Sequence, residues 1–198
     1  MKSYLTRVLL VTAAAIVLWF GYTEFLHHSR STDFTPAGIT GVQHLGNGYL
    51  ISSFYVDKYG GDSVGRDGGG GSIVCCAMLP LKWRPGLAVE VRWRVEDWTR
   101  ENRAEIDAGN YQSVTEKGVY IAKVPIEQYD EPHDLYVHFF PRGRVRVLST
   151  KYSVSSPVHP VLFGQREGGL LATAGLPIRA IFSPSELAEI SKRSNPWK

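Results

Sequence analysis

Residues 87–96 alternate without a break. Leu87, Val89, Val91, Trp93 and Val95 fall on one side, and Ala88, Glu90, Arg92, Arg94 and Glu96 on the other. A period of two over ten residues predicts a β-strand with one face buried. The strand is entered through Lys82-Trp83-Arg84-Pro85-Gly86. Pro85 and Gly86 are turn residues there, because proline presets its own φ and glycine accepts a positive one. Before this connection, residues 72–79 (Ser-Ile-Val-Cys-Cys-Ala-Met-Leu) read as a second strand, preceded by the glycine run Gly68 to Gly71.

The same reasoning extends outward. Residues 37–45 and 49–56 read as strands, and Gly46-Asn47-Gly48 between them is a hairpin signal. Residues 57–71, rich in glycine, read as a surface loop. Residues 118–124 form a short strand closed by Pro125, and residues 134–140 and 143–150 a hairpin across Pro141-Arg142-Gly143. On its second arm Arg144 and Arg146 oppose Val145 and Val147, which predicts a solvated sheet edge. Residues 97–112 are charged and poorly patterned. Residues 152–177 read as coil with one short strand at 160–163. Ser183-Pro184-Ser185-Glu186 is a capping box with proline in the first helical position, so a short helix runs from Pro184 to about Lys192. Short strands separated by turn signals predict a mainly β fold, an antiparallel β-sandwich or open barrel of about seven to nine strands with a short C-terminal helix. A mixed α+β domain is the alternative, with helices in 97–112 and 125–130.

The N-terminus has a different composition. Lys2 and Arg7 precede an apolar run from Val8 that ends in Trp19, Phe20, Gly21 and Tyr22, followed by Phe25-Leu26. The run approaches the roughly 20 residues that cross a bilayer. A cleaved signal peptide would end in small residues at an A-x-A-like site, whereas these bulky aromatics suit a membrane interface. The expected organisation is a cytoplasmic n-region at 1–7, a transmembrane signal anchor at 8–26, a tether at 27–36 and a β-rich domain at 37–198. Basic residues ahead of the anchor place that domain in the periplasm, on a single-pass inner-membrane protein.

Known chemistries find little purchase. A net charge of +3 is too small a basic footprint for nucleic acid. The glycine loop lacks the Lys-Ser/Thr and following helix of a P-loop, and Asp57, Asp62 and Asp67 do not have the spacing of a calcium loop. There is no Gly-x-Ser-x-Gly elbow and no His-Glu-x-x-His pair. His138, between Val137 and Phe139, reads as a half-buried strand residue, and His133-Asp134 point to opposite faces of an extended chain. His27-His28 has no further ligands beside it. The two cysteines, Cys75 and Cys76, are neighbours, and their expected state is one thiol packed in the core and one on the opposite face, a vicinal disulfide being the alternative. No cofactor, metal or enzymatic activity is expected.

Several pieces together resemble a known family. They are Gly48-Tyr49 with Ser53-Phe54-Tyr55-Val56, Gly68 to Ser72 with Cys75-Cys76, and Lys82-Trp83-Arg84-Pro85-Gly86. Val137 to Val145 and Ser156-Pro157-Val158-His159-Pro160 continue the series. Over residues 45–162 the chain resembles the DUF3304 family of bacterial envelope proteins. That resemblance implies no enzyme activity. It implies an immunity protein that binds and blocks a type VI secretion phospholipase effector; the alternative is an envelope binding or scaffolding domain for a secretion apparatus or a glycan. Contact residues do not transfer by motif. By exposure and composition the candidates are Asp62, Arg66 and Asp67 in the glycine loop and Trp98, Arg100 and Arg103 in the charged excursion. Trp98 there reads as a lid over the core or as a contact.

Overall fold

The computed structural model describes residues 33–65, 74–99, 103–111 and 115–194, together with Ile16 and Trp19. Among the described residues no helix is long and apolar enough to cross a membrane. The segment 8–26 lies outside them except for Ile16 and Trp19, both helical.

Among the described residues ten strands form two five-stranded sheets that pack face to face and stay open at their edges. The strands are β1 (Phe34–Gln43), β2 (Tyr49–Val56), β3 (Tyr59–Val64), β4 (Val74–Pro80), β5 (Ala88–Asp97), β6 (Glu116–Pro125), β7 (Leu135–Phe140), β8 (Arg144–Ser149), β9 (Thr173–Ala174) and β10 (Leu176–Ile178). One sheet has the order β4-β1-β7-β8-β9 and the other β10-β6-β5-β2-β3. Two helices complete the described elements, α1 (Arg103–Asp107) and α2 (Pro184–Ser194), along with a 3-10 turn at Glu167–Leu171.

The alternation in β5 does what it predicts. Val89, Val91, Trp93 and Val95 enter the core between the sheets, where they meet Ile39, Phe54, Val137, Phe139 and Val145. The other face of β5 is covered too. Arg92 is buried there, and its guanidinium bonds Glu186 of α2, the Ile181 carbonyl and Glu90. These bonds seat the terminal helix, together with a small apolar cluster of Val119, Ile181 and Phe182. The capping box is formed: Glu186 N–H donates to Ser183 Oγ at 3.3 Å, and Ser183 N–H to Glu186 Oε2 at 2.9 Å. The expected turn closes as well, with Leu87 N–H on the Arg84 carbonyl and Gly86 at φ +86°.

Several expectations are corrected. Gly46-Asn47-Gly48 does not make a hairpin, because β1 and β2 belong to different sheets and the turn carries the chain across the sandwich. Buried Gln43 braces the crossing, donating to the Tyr49 carbonyl and accepting from Leu45 N–H. The nearby hairpin is β2–β3, through Asp57 and Lys58, both with positive φ. That is the mirror-image turn usually marked by Asn-Gly, so the loop expected at 57–71 contains a strand. The sandwich is not wholly antiparallel, since β1 runs parallel to β7, pairing Ile39 with Leu135 and Gln43 with Phe139. No strand forms at 160–163.

The cysteines are joined as a vicinal disulfide, which overturns the free-thiol expectation. The β1–β4 ladder pairs Ala37 with Ala77 and then Ile39 with Val74, so the two cysteines bulge out of register between them. Cys75 is exposed and Cys76 half-buried, while Ala77 and Leu79 take the core positions.

The largest departure concerns β7 and β8. Every residue of β7 is buried, because its sheet is covered on both sides. Leu135, Val137 and Phe139 face the other sheet, whereas Tyr136 and Phe140 pack beneath the coil that contains Val161 and Ala172. The arginines of β8 therefore do not lie on a solvated edge. Arg144 donates to the carbonyls of Gly169, Leu170 and Ala172, and Arg146 to Glu127 and the Gly168 carbonyl.

Candidate functional site

The outer face of the β1–β7–β8 sheet gathers three histidines that the sequence keeps far apart. His44 follows β1, His138 is the fourth residue of β7, and His159 comes from the covering coil. His44 Nε2 and His138 Nδ1 are 2.9 Å apart and share one hydrogen bond. The rings of His138 and His159 are 5.2 Å apart, and His44 stacks on Phe140 at 4.6 Å. His138 has no exposed surface, and the other two are nearly as deep. His44 Nδ1, His138 Nε2 and His159 Nε2 have no hydrogen-bond partner. Sequence reasoning took His138 as half-buried; its second face is closed by a coil that no strand periodicity reveals.

Burial keeps this cluster neutral. A charged imidazole loses its hydration there, and at His44 and His138 it also meets Arg146, so burial and charge both disfavour the proton at those two. Burial first, then His159 and Arg146, lower the His44 pKa from 6.5 to about 4. Burial, His44, His159 and Arg146 hold His138 well below its ordinary value, and burial lowers His159. Among the described residues no group of three histidines, cysteines or carboxylates converges as metal ligands.

Phe140 forms the boundary of a second, open region. A cleft of about 640 Å³ is lined by Phe140, Pro141, Arg142, Arg144, Gly169 and Leu170, among others, and includes Arg166. A neighbouring hollow of about 410 Å³ shares Pro141, Arg142 and Arg166 with it and adds Tyr49, Lys117 and Tyr120. Arg166 donates to the Leu45 carbonyl at 3.4 Å, beside Gly46, whose φ of +103° favours glycine there. No carboxylate lines either cavity among the described residues. Lys117 is paired with Asp97 at 3.0 Å, which leaves the three arginines as the uncompensated charge.

The structure scatters the residues predicted to meet a partner. Asp62 lies in edge strand β3, opposite Phe54. Trp98 sits beyond the other end of β2, with its N–H on the Gly48 carbonyl and its indole N–H on Glu96 at 2.9 Å. It is half-buried at the root of the excursion. Arg103 opens α1, almost fully exposed, and pairs with Asp107. Arg66, Asp67 and Arg100 lie outside the described residues. The sequence reading has Arg144 on a solvated sheet edge and gives Arg142 and Arg166 no role, since nothing local in the sequence signals that a turn, a strand and a coil converge.

The family match runs from the start of β2 into β8. The family model described as "Protein of unknown function (DUF3304)" matches residues 47–147. The chain belongs to the DUF3304 family. No curated protein and no solved structure matches it. The family match takes in Arg142 and Arg144 at one wall of the cleft, while Arg166 and Leu170 at the other lie beyond it.

Proposed function

We propose that this protein is a non-catalytic binding protein of the bacterial envelope, held by residues 8–26 in the inner membrane with its β-rich domain in the periplasm. Its partner in this reading is a secreted phospholipase of the type VI kind, which it blocks as an immunity protein. The observation that supports a binding role is the excursion between β5 and β6. Its root is fixed: buried Asp97 accepts from Thr99 N–H and Oγ and from Lys117 Nζ, and Trp98 is tied back to Glu96. Beyond that root the chain displays Arg103 and Tyr111 to solvent. A rigid base carrying an exposed aromatic and charged segment suits recognition, because the loop varies without cost to the scaffold.

The test is co-expression with a phospholipase encoded beside this chain and directed to the periplasm. Survival and copurification are expected with the intact chain. Trp98→Ala with Arg103→Ala is expected to weaken the complex by about 2 kcal/mol or more, the scale of an interface hot spot, without lowering the unfolding temperature by more than a few degrees. Equal killing with and without the protein, and no complex in solution, overturns the reading.

A further inference from the structure

We infer that the Arg142–Arg144–Arg166 cleft is a binding site for the phosphate headgroup of an anionic phospholipid, with an acyl chain lying over Leu170 and Leu171. The inference is independent of the toxin reading. Its first basis is charge: three arginine side chains line one cavity with no carboxylate among its described lining residues. A guanidinium cannot discharge by losing its proton, so this field persists at any physiological pH. Planar N–H donors match a phosphate's oxygens in pairs, which makes arginine the side chain suited to a phosphodiester.

The second basis is the lip. Leu170 lines the cleft and is 84% exposed; its neighbour Leu171 is 81% exposed. Both ride on the 3-10 turn whose carbonyls Arg144 holds, so the leucines are kept beside the charge. The floor is apolar, with Phe140 and Ala174. An acidic peptide satisfies the arginines but gives the leucines no apolar cover. A free phosphate leaves them in water entirely. An anionic amphiphile satisfies both, because burying the methylenes of its chain against the leucines is favourable.

The site is also built to hold its shape. Cβ atoms at Gly168 and Gly169 would press on Phe140 at 3.2 Å, so small residues let the turn close on the floor. Arg144 gains three carbonyl partners and keeps its charge. Pre-formed donors of this kind spare the ligand the ordering of long side chains.

The experiment uses the full chain in a neutral maltoside detergent, titrated with dioctanoyl phosphatidylglycerol, dioctanoyl phosphatidylcholine, glycerol phosphate and inorganic phosphate. Native mass spectrometry reads the retained ligand, and a thermal shift reads binding in solution. Phosphatidylglycerol is expected to bind at least about tenfold more tightly than phosphatidylcholine, the scale of one charge-assisted contact. Arg142→Ala with Arg166→Ala, both exposed and outside the core, is expected to remove that preference. Leu170→Ser with Leu171→Ser is expected to weaken the lipid about tenfold and leave glycerol phosphate unchanged. Equal retention of the two lipids overturns the inference. Retention unaffected by the arginine pair overturns it too, by assigning the lipid to another part of the chain. If inorganic phosphate or glycerol phosphate competes as well as the lipid, the site is for phosphate alone. An acidic partner protein that binds through the arginines, with no lipid retained, assigns the cleft to that partner instead.

Discussion

The histidine cluster and the arginine cleft occupy the same outer face of one sheet, separated by the ring of Phe140, and they handle cationic side chains in opposite ways. The coil over β7 closes fully on His44, His138 and His159, leaving them buried, neutral and short of protein partners. At the end of the sheet the same coil opens, and Arg142, Arg144 and Arg166 line an open cleft. An imidazole survives burial because it can give up its proton, at the cost of a depressed pKa. A guanidinium has no such exit and must be supplied with acceptors, which Arg144 finds in three carbonyls. One region therefore suits a packed interior that senses acid, and the other a surface that recognises anions.

The sharpest way to break this contrast is to empty the closed region. His138→Ala leaves a cavity beneath the coil and removes the partner of His44 Nε2. It is expected to cost about 4 kcal/mol in urea unfolding, the scale of a large-to-small core change. A cost below about 1 kcal/mol shows that the cluster is wet and loosely packed.

Acid tests whether the cluster is neutral. Between pH 6.5 and about 4 the unfolded chain takes a proton on residue 44 that the folded chain refuses, so stability is complete above pH 6.5 and falls as the pH drops. His44 alone is expected to contribute a loss of about 3 kcal/mol by pH 4. His44→Phe keeps the stack on Phe140 and is expected to flatten the curve in that window. Arg146, held by Glu127, is a permanent charge that also acts on His44 and His138. Stability that rises on acidification, or a slope that His44→Phe leaves untouched, contradicts the assignment.

The smallest effect belongs to the open region. Arg144→Met preserves the stem but withdraws the donors from the Gly169, Leu170 and Ala172 carbonyls. About 1–2 kcal/mol of stability is expected to go, because partly solvated carbonyls recover water. Hydrogen exchange at 167–172 is expected to rise while β7 stays protected. Faster exchange in β7 itself shows that the two regions unfold together.

Much of this architecture is legible locally. Strict alternation assigns β5 and its core face, Pro85-Gly86 assigns the turn before it, and Ser183 with Glu186 assigns the start of α2. In each case the physics lies within a few residues: a strand's period, a ring-locked φ, two reciprocal cap bonds. Asn47-Gly48 shows the limit of that reading. A turn signal says that the chain reverses, but which sheet receives it depends on strands far away in sequence. The same limit explains the cysteines, whose displacement from the core follows from how β1 aligns with β4.

The two regions on the outer face lie beyond such signals altogether. His44 and His138 are 94 residues apart, and Arg166 reaches back 121 residues to Leu45. The sequence by itself determined the alternating strands, the capped helix and the basic, apolar N-terminal segment, since each follows from bonds and side chains close along the chain. Only the tertiary structure decided that Arg144 and Arg146 bond the covering coil instead of forming a solvated sheet edge, that three imidazoles share one buried space, and that three arginines line a cleft. The reason is that burial is a property of two surfaces at once: β7 and β8 supply one, and the coil that covers it carries no periodicity to announce where it will lie.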